Sequence, residues 1–278
     1  MKPSQLNITS ILASIALSPF LNADTITFDN SKGDLDYNDP SNWATKNLPG
    51  SGDTARIGQG HKVALNTVVT KRAHACHIGI PNGPGSLTIN EGGSISFDYY
   101  AALGWDDLGT LTINEGGSLT SKLLGIGAYV VNPGRGPGGV LNMNGGSLKT
   151  GVIQATSDKA VLNLSGGSIT ATGIRMPASN HDGVIINWDF SSGSSTIITV
   201  TGPMIELQNS EINLNLNGLK TGNYTLIDNR GNGIIDFTGK VNISGVAPGS
   251  GAKLNKAGNT PGANLILTIS AVDTRPKR

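Results

Sequence analysis

The sequence predicts an all-β fold, a right-handed parallel β-helix with N- and C-terminal capping segments, and three observations carry that expectation. Four segments repeat one another: GSLTINEGGSIS (85–96), GTLTINEGGSLT (109–120), GVLNMNGGSLKT (139–150) and AVLNLSGGSIT (160–170). Self-similarity at a short period is the mark of a stacked-repeat architecture. Within each unit apolar and polar residues alternate, as in Leu111, Thr112, Ile113 and Asn114, which is the period of a strand. Each unit also carries a Gly-Gly pair, beginning at Gly92, Gly116, Gly145 and Gly166, so the intervals are 24, 29 and 21 residues. That is the length of a coil, and paired glycines supply the positive φ that a sharp corner needs.

A second strand recurs between these units as Ile78-Gly79, Leu103-Gly104 and Ile126-Gly127, and more loosely at Val152-Ile153 and Ile174. Each coil therefore holds two or three short strands. An antiparallel meander gains nothing from near-identity of successive units. A coil that rises about 4.8 Å per turn places identical residues above one another. Leu87, Leu111, Leu141 and Leu162 then form one interior column, and Ile89, Ile113, Met143 and Leu164 another. Asn90, Asn114 and Asn144 form a corner ladder of side-chain amides, which Ser165 ends.

The ends follow from the same logic, because a coil stack exposes backbone edges at both termini and needs covering segments. The expected organisation is an export signal over 1–23, an N-terminal cap over 24–60, coils over 61–218, and a C-terminal cap with a last strand over 219–278. The signal is read from Lys2, the apolar stretch Ile8 to Leu21, and small residues ending at Ala23. No other apolar run is long enough to suggest a transmembrane helix.

Composition narrows the function classes. Gly is 39 of 278 residues and charged residues are 14%, a polar but uncharged chain. A net charge of +1 with no basic block beyond Arg275 to Arg278 excludes the electrostatic footprint of a nucleic-acid binder. The single Cys76 allows no intrachain disulfide.

Apparent motifs resolve into turns when their surroundings are considered. Gly134 to Gly139 satisfies G-x-G-x-x-G, but Pro137 and the strand Val140 to Met143 follow it where a dinucleotide site needs a helix. Asp34, Asp36 and Asn38 have calcium-loop spacing, yet Asp39 stands at the glycine position and Thr45 at the glutamate position. An Asx-rich turn is the expected reading. His74 and His77 flank Cys76 without a fourth ligand, so Cys76 is expected inside and the histidines solvated or in a corner. Glu91 and Glu115 stack at successive corners with no wall beside them, and Asp106-Asp107 precede a turn. No cofactor, metal site or catalytic residue is expected.

The repeat units resemble those of bacterial secreted autotransporter-passenger-like β-helix proteins, with their recurrent L-x-I-N-x-G-G-x-L coils. The stretch Asn42-Trp43, Leu48-Pro49 and Gly52 to Gly58 is similar to the segment that opens such proteins. Together the two cover roughly residues 40 to 175. The resemblance implies a pectin-lyase-like fold and a secreted or cell-surface location, outer membrane or extracellular. Neither the C-terminal membrane β-barrel nor the apolar sorting tail of the family is expected from the residues after Val272.

The expected function is that of a non-enzymatic structural or adhesive element of the surface or extracellular matrix. The alternative is a polysaccharide-binding or polysaccharide-degrading β-helix, a lyase or hydrolase. Tyr99, Tyr100, Trp105 and Tyr129 fall on two successive coils; partial burial under loops is the first explanation of such a cluster, and the functional one is that aromatic faces stack on sugars. Glycans or surface components are accordingly the expected partners.

Overall fold

The computed structural model describes residues 24–127, 137–155, 157, 159–176, 183–193, 195–217, 219–255 and 260–271. The expected export signal and Tyr129 lie outside the described residues. The chain winds into a parallel β-solenoid of about eight turns. Each turn contributes to three faces. The first face stacks the strand segments at 25–27, 54–57, 75–78, 100–103, 123–126, 152–155, 173–175, 204–206 and 234–236. The second runs from 62–65 through 85–89 and 109–114 to 240–244. The third joins 94–96, 118–120, 147–150, 168–171, 197–200 and 227–229.

The two predicted interior columns are present residue for residue on the second face. Leu87, Leu111, Leu141 and Leu162 are in register and buried, as are Ile89, Ile113, Met143 and Leu164. Both columns continue past the recognisable repeats, through Ile186 and Ile212, and through Trp188 and Leu214. The stacking thus survives the loss of the sequence motif, since what it requires is only an apolar side chain at the inward position. On the first face Ile78, Leu103 and Ile126 stack as expected, but the next member is Ala155. Ile153 aligns instead with Leu124 and Ile174. The loose match at Val152-Ile153 was therefore two residues out of register.

Corners set this register. The paired glycines turn the chain from the second face to the third, with Gly92 at φ 78° and Gly116 at φ 73°. After the first face the turn is closed by Gly79 and Gly104, both left-handed; a Cβ at Gly104 would lie 2.0 Å from the Gly138 carbonyl oxygen. No side chain fits there.

Two amide ladders run along the solenoid. In the predicted one, Asn114 Nδ2 donates to Asn90 Oδ1 at 2.8 Å and Asn144 Nδ2 to Asn114 Oδ1 at 3.1 Å. The Ser165 hydroxyl donates to Asn144 at 3.2 Å, and the ladder starts one coil earlier than expected, at Asn66, which accepts from Asn90 at 2.8 Å. The second ladder was not foreseen. Asn142 donates to the Thr112 hydroxyl, Asn163 to Asn142, Asn187 to Asn163, Asn213 to Asn187 and Asn242 to Asn213, at 2.7–3.1 Å. Its signal in the sequence is an Asn between two inward apolar residues: Leu-Asn-Met, Leu-Asn-Leu, Ile-Asn-Trp, Ile-Asn-Leu and Val-Asn-Ile.

Near the N-terminus, Phe28, Tyr37 and Trp43 pack edge to face, with ring centroids 5.2 and 5.0 Å apart, and the Trp43 indole N–H donates to the Tyr37 carbonyl. Toward the C-terminus the pairing changes sense: Leu265–Ala271 runs antiparallel both to Gly222–Asn229 and to Ser250–Asn255.

Two stability measurements check this packing. Ile113→Asp buries a charge between Ile89 and Met143 and is expected to cost several kcal/mol, whereas Thr112→Asp, facing outward, costs roughly 0.5 kcal/mol or less. Similar denaturation midpoints for the two variants would contradict the column assignment. Asn114→Gly retains a turn residue but breaks two amide bonds, with an expected loss of about 1 kcal/mol or more. The Asn90 and Asn114 variants should be non-additive when combined; strict additivity would mean that the amides do not couple.

Candidate functional site

The surface feature that carries chemistry lies on the first face, at the corner where the fourth of its stacked segments turns toward the second face. Register decides what meets there. Ala75 sits beside Tyr100, and His77 beside Ala102. Tyr100 and Ala102 face outward because Ala101 and Leu103 take the two core positions. Gly104 then reverses the chain, and Trp105 folds back over the preceding coil.

The rings are ordered relative to one another. Trp105 stacks on His77 with centroids 3.7 Å apart and planes 12° from parallel. Tyr100 lies 6.0 Å from Trp105 at 12° and 5.5 Å from His77 at 22°. Its hydroxyl is 2.6 Å from His77 Nε2. At the edge, Tyr99 stacks on His74 at 5.7 Å and meets Tyr100 edge on. Tyr99 is 48% exposed, and Arg72 pairs with Asp98 at 3.7 Å beside it. Trp43 and Trp188, by contrast, are fully buried. Trp105 is thus the one tryptophan at the surface, at the centre of a platform of near-parallel rings.

His77, expected solvated or in a corner, is only 4% exposed, because Trp105 stacks over it. Its Nδ1 is buried with no partner among the described residues, as is the Nε of Arg56, the residue in register below it. An orphaned buried polar atom costs about 1–3 kcal/mol. Burial, and then the neighbouring Arg56 charge, push the His77 pKa down to about 3. The ring is neutral through the physiological range, so the platform presents no charge of its own at its centre.

The other candidates fall out as turns and core. Cys76 is fully buried, and desolvation holds its thiol far above the usual range. Asp34 accepts hydrogen bonds from Asn42 and from the Asp36 amide, while the Lys32 ammonium binds both Asp34 and Asp39. These contacts lower the Asp34 and Asp39 carboxyl pKa values, and the lysine satisfies the negative charge that a calcium ion would otherwise meet. Among the described residues no group of three His, Cys, Asp or Glu could hold a metal ion. Glu91 and Glu115 are exposed, and the Asp107 carboxylate accepts from the Leu108 amide at 2.6 Å, closing its turn. A cleft of about 410 Å³ between the last coils of the second face is lined by Ile185, Asn209, Glu211, Thr238, Lys240 and two glycines; Glu211 there accepts from Asn242.

The sequence identified Tyr99, Tyr100 and Trp105 as a cluster, and the structure brings those three together. It missed His74 and His77 as their stacking partners. The available signal was the coil register, which places residues 74–77 directly beside 99–102. No family model, no curated protein and no solved structure matches this chain.

A group whose folded pKa is depressed below its unfolded value near 6.5 takes up its proton on unfolding first, so His77 makes the fold lose stability as pH falls from about 6 toward 3. The carboxylates Asp29, Asp34 and Asp39, whose pKa values are lowered, add to that loss only below about pH 4. His77→Phe is therefore expected to flatten the stability profile between roughly pH 6 and 4.5, where the wild-type slope from this residue approaches 1.4 kcal/mol per pH unit. Parallel profiles for the two proteins would place the titration elsewhere.

Proposed function

We propose that this chain is an exported, non-enzymatic β-solenoid of the cell surface or extracellular matrix, structural or adhesive, whose adhesive contact is a glycan stacked on the Tyr99, Tyr100 and Trp105 platform. The observation that carries the reading is the near-parallel set of Tyr100, His77 and Trp105 with Tyr99 standing edge-on beside it, while the other large aromatics among the described residues are mostly interior. Pyranose rings present apolar C–H faces to such platforms, and the hydroxyls at their edges find partners in Tyr99 and in the Arg72–Asp98 pair. The export signal over 1–23, the right-handed winding common to parallel crossovers and the likeness to autotransporter-passenger repeats belong to the same proposal. They are supported by the residues described above.

A polysaccharide-degrading solenoid is the competing reading. It needs an acid and a base converging on one point beside the platform, and the nearest acidic pair in sequence, Asp106-Asp107, has one carboxylate engaged in its own turn. Affinity electrophoresis of the purified chain through gels containing neutral and acidic polysaccharides tests the proposal. Retardation by at least one glycan is expected. Tyr99→Ala and Trp105→Ala should each weaken binding about tenfold, the equivalent of one lost ring contact of about 1.4 kcal/mol. Failure of every glycan to retard the protein would refute the contact, and release of shortened products would refute the non-enzymatic assignment.

A further inference from the structure

Beneath the ring platform, the outward side of the first face holds a positive charge that no acid balances. Arg56 points outward because Ala55 and Ile57 take the core positions on either side of it, and His77 is its neighbour one coil on. Thr27 precedes Arg56 in that column, and Ala102 and Gly125 follow His77. None of these is an acid. Asp106 and Asp107 lie on the turn that carries Trp105, yet no ion pair among the described residues includes Arg56. The other described arginines, Arg72, Arg175 and Arg230, each pair with a carboxylate. A guanidinium is seldom withdrawn from water without such a partner, and Arg56 is half-buried.

The proton on His77 decides what satisfies this pair. Its Nε2 lies 2.6 Å from the Tyr100 hydroxyl, a separation ordinary for an O–H donor and short for an N–H donor. Tyr100 therefore donates, and the one proton of the neutral imidazole sits on Nδ1. Burial, and then the Arg56 charge, hold the ring in that neutral state. His77 Nδ1 and Arg56 Nε are both buried without a partner among the described residues, so two N–H donors from adjacent coils share a full positive charge and no acceptor. A water accepts from both, but its own hydrogens then need acceptors, for which the column offers only the Thr27 hydroxyl, and the guanidinium stays unbalanced. An anion meets both needs at once. It must be small: both nitrogens are enclosed, and the Trp105 ring covers His77 at 3.7 Å, which leaves no approach for a carboxylate or sulfate carried on a polymer.

We propose that a small monovalent inorganic anion, of the class of chloride, binds between Arg56 and His77 beneath Trp105, accepting from Arg56 Nε–H and His77 Nδ1–H. It balances the guanidinium and fixes the imidazole on which the indole stacks, so it is a structural ligand of the platform. The inference goes beyond the glycan contact and does not depend on it: the anion occupies its site whether or not a sugar stacks above.

Crystals of the full chain grown with sodium bromide as the only halide test the site directly, because bromide scatters anomalously. An anomalous peak within hydrogen-bonding reach of both Arg56 Nε and His77 Nδ1 is expected in the wild type and its loss in Arg56→Gln. A water without anomalous signal at that point would overturn the proposal, as would bromide found only at other surface cations, an adventitious ion only. Thermal unfolding reads the same site in solution. Exchanging sodium gluconate, whose anion is too large for the enclosed position, for sodium chloride at constant ionic strength should raise the wild-type midpoint relative to that of Arg56→Gln by about 2 °C or more. An equal response of the two proteins would count against the anion. Should Arg56→Gln fail to fold, the wild-type bromide map still decides, and Arg56→Lys, which keeps the charge but not the Nε–H, should show a reduced response to chloride. Nitrogen chemical shifts that place the His77 proton on Nε2 would remove the second donor and the site with it.

Discussion

Parallel pairing between successive coils imposes one constraint on everything else in this molecule: a residue must be compatible with the residue one turn above and one turn below it. The strands are in direct register over most of the solenoid, so Leu meets Leu and Asn meets Asn at the spacing of a sheet. Inside, that constraint is met by branched aliphatic side chains, each contributing burial on both its neighbours. Outside, it is met by short polar groups that bond along the axis. Like charges placed in such a column would repel at every step, and this accounts for a chain that is rich in Asn, Ser and Thr and has only 14% charged residues. With a single buried cysteine, no disulfide reinforces the stack.

How much of this was legible in the sequence depends on how strictly a position is constrained. The inward columns at Leu87 and Ile89 and the corner amides at Asn90, Asn114 and Asn144 could be read directly, because a near-identical repeat leaves no doubt about register. The second ladder was harder to see. From Asn187 onward its members sit in coils whose corners have lost the Gly-Gly signature, and only the apolar-Asn-apolar triplet persists from Asn142 to Asn242. The error at Val152-Ile153 has a different cause: the residue at the spacing set by Gly116 and Ile126 is Ala155, a small side chain that gives a weaker apolar signal than the β-branched Val152-Ile153 before it. Around Trp105 the reading found the rings but not their order. Stacking of Trp105 on His77 depends on the reversal at Gly104, a conformational fact that composition and period do not carry. Burial of His77 followed from that one ring.

The ring platform shares only part of its physical basis with the core. Register sets Tyr100 one coil above Ala75 on the outer side of the first face, and the reversal at Gly104 lays Trp105 over His77. A surface made this way is flat, narrow and periodic, and its rigidity comes from the backbone ladder beneath it. Pre-ordering of this kind lowers the entropic penalty of any contact made on it.

Every rung of both amide ladders donates toward the N-terminal side and accepts from the C-terminal side. Each coil therefore presents an acceptor upward and a donor downward, whatever its position. If a whole turn were excised, the donor above the gap would meet the acceptor below it and the apolar columns would close without mismatch; a fractional excision would set donors against the wrong groups and turn the inward side chains out. The molecule is thus quantised in length: its natural unit of variation is the complete turn, and its reach along the axis changes in steps of one sheet spacing while the cross-section stays the same.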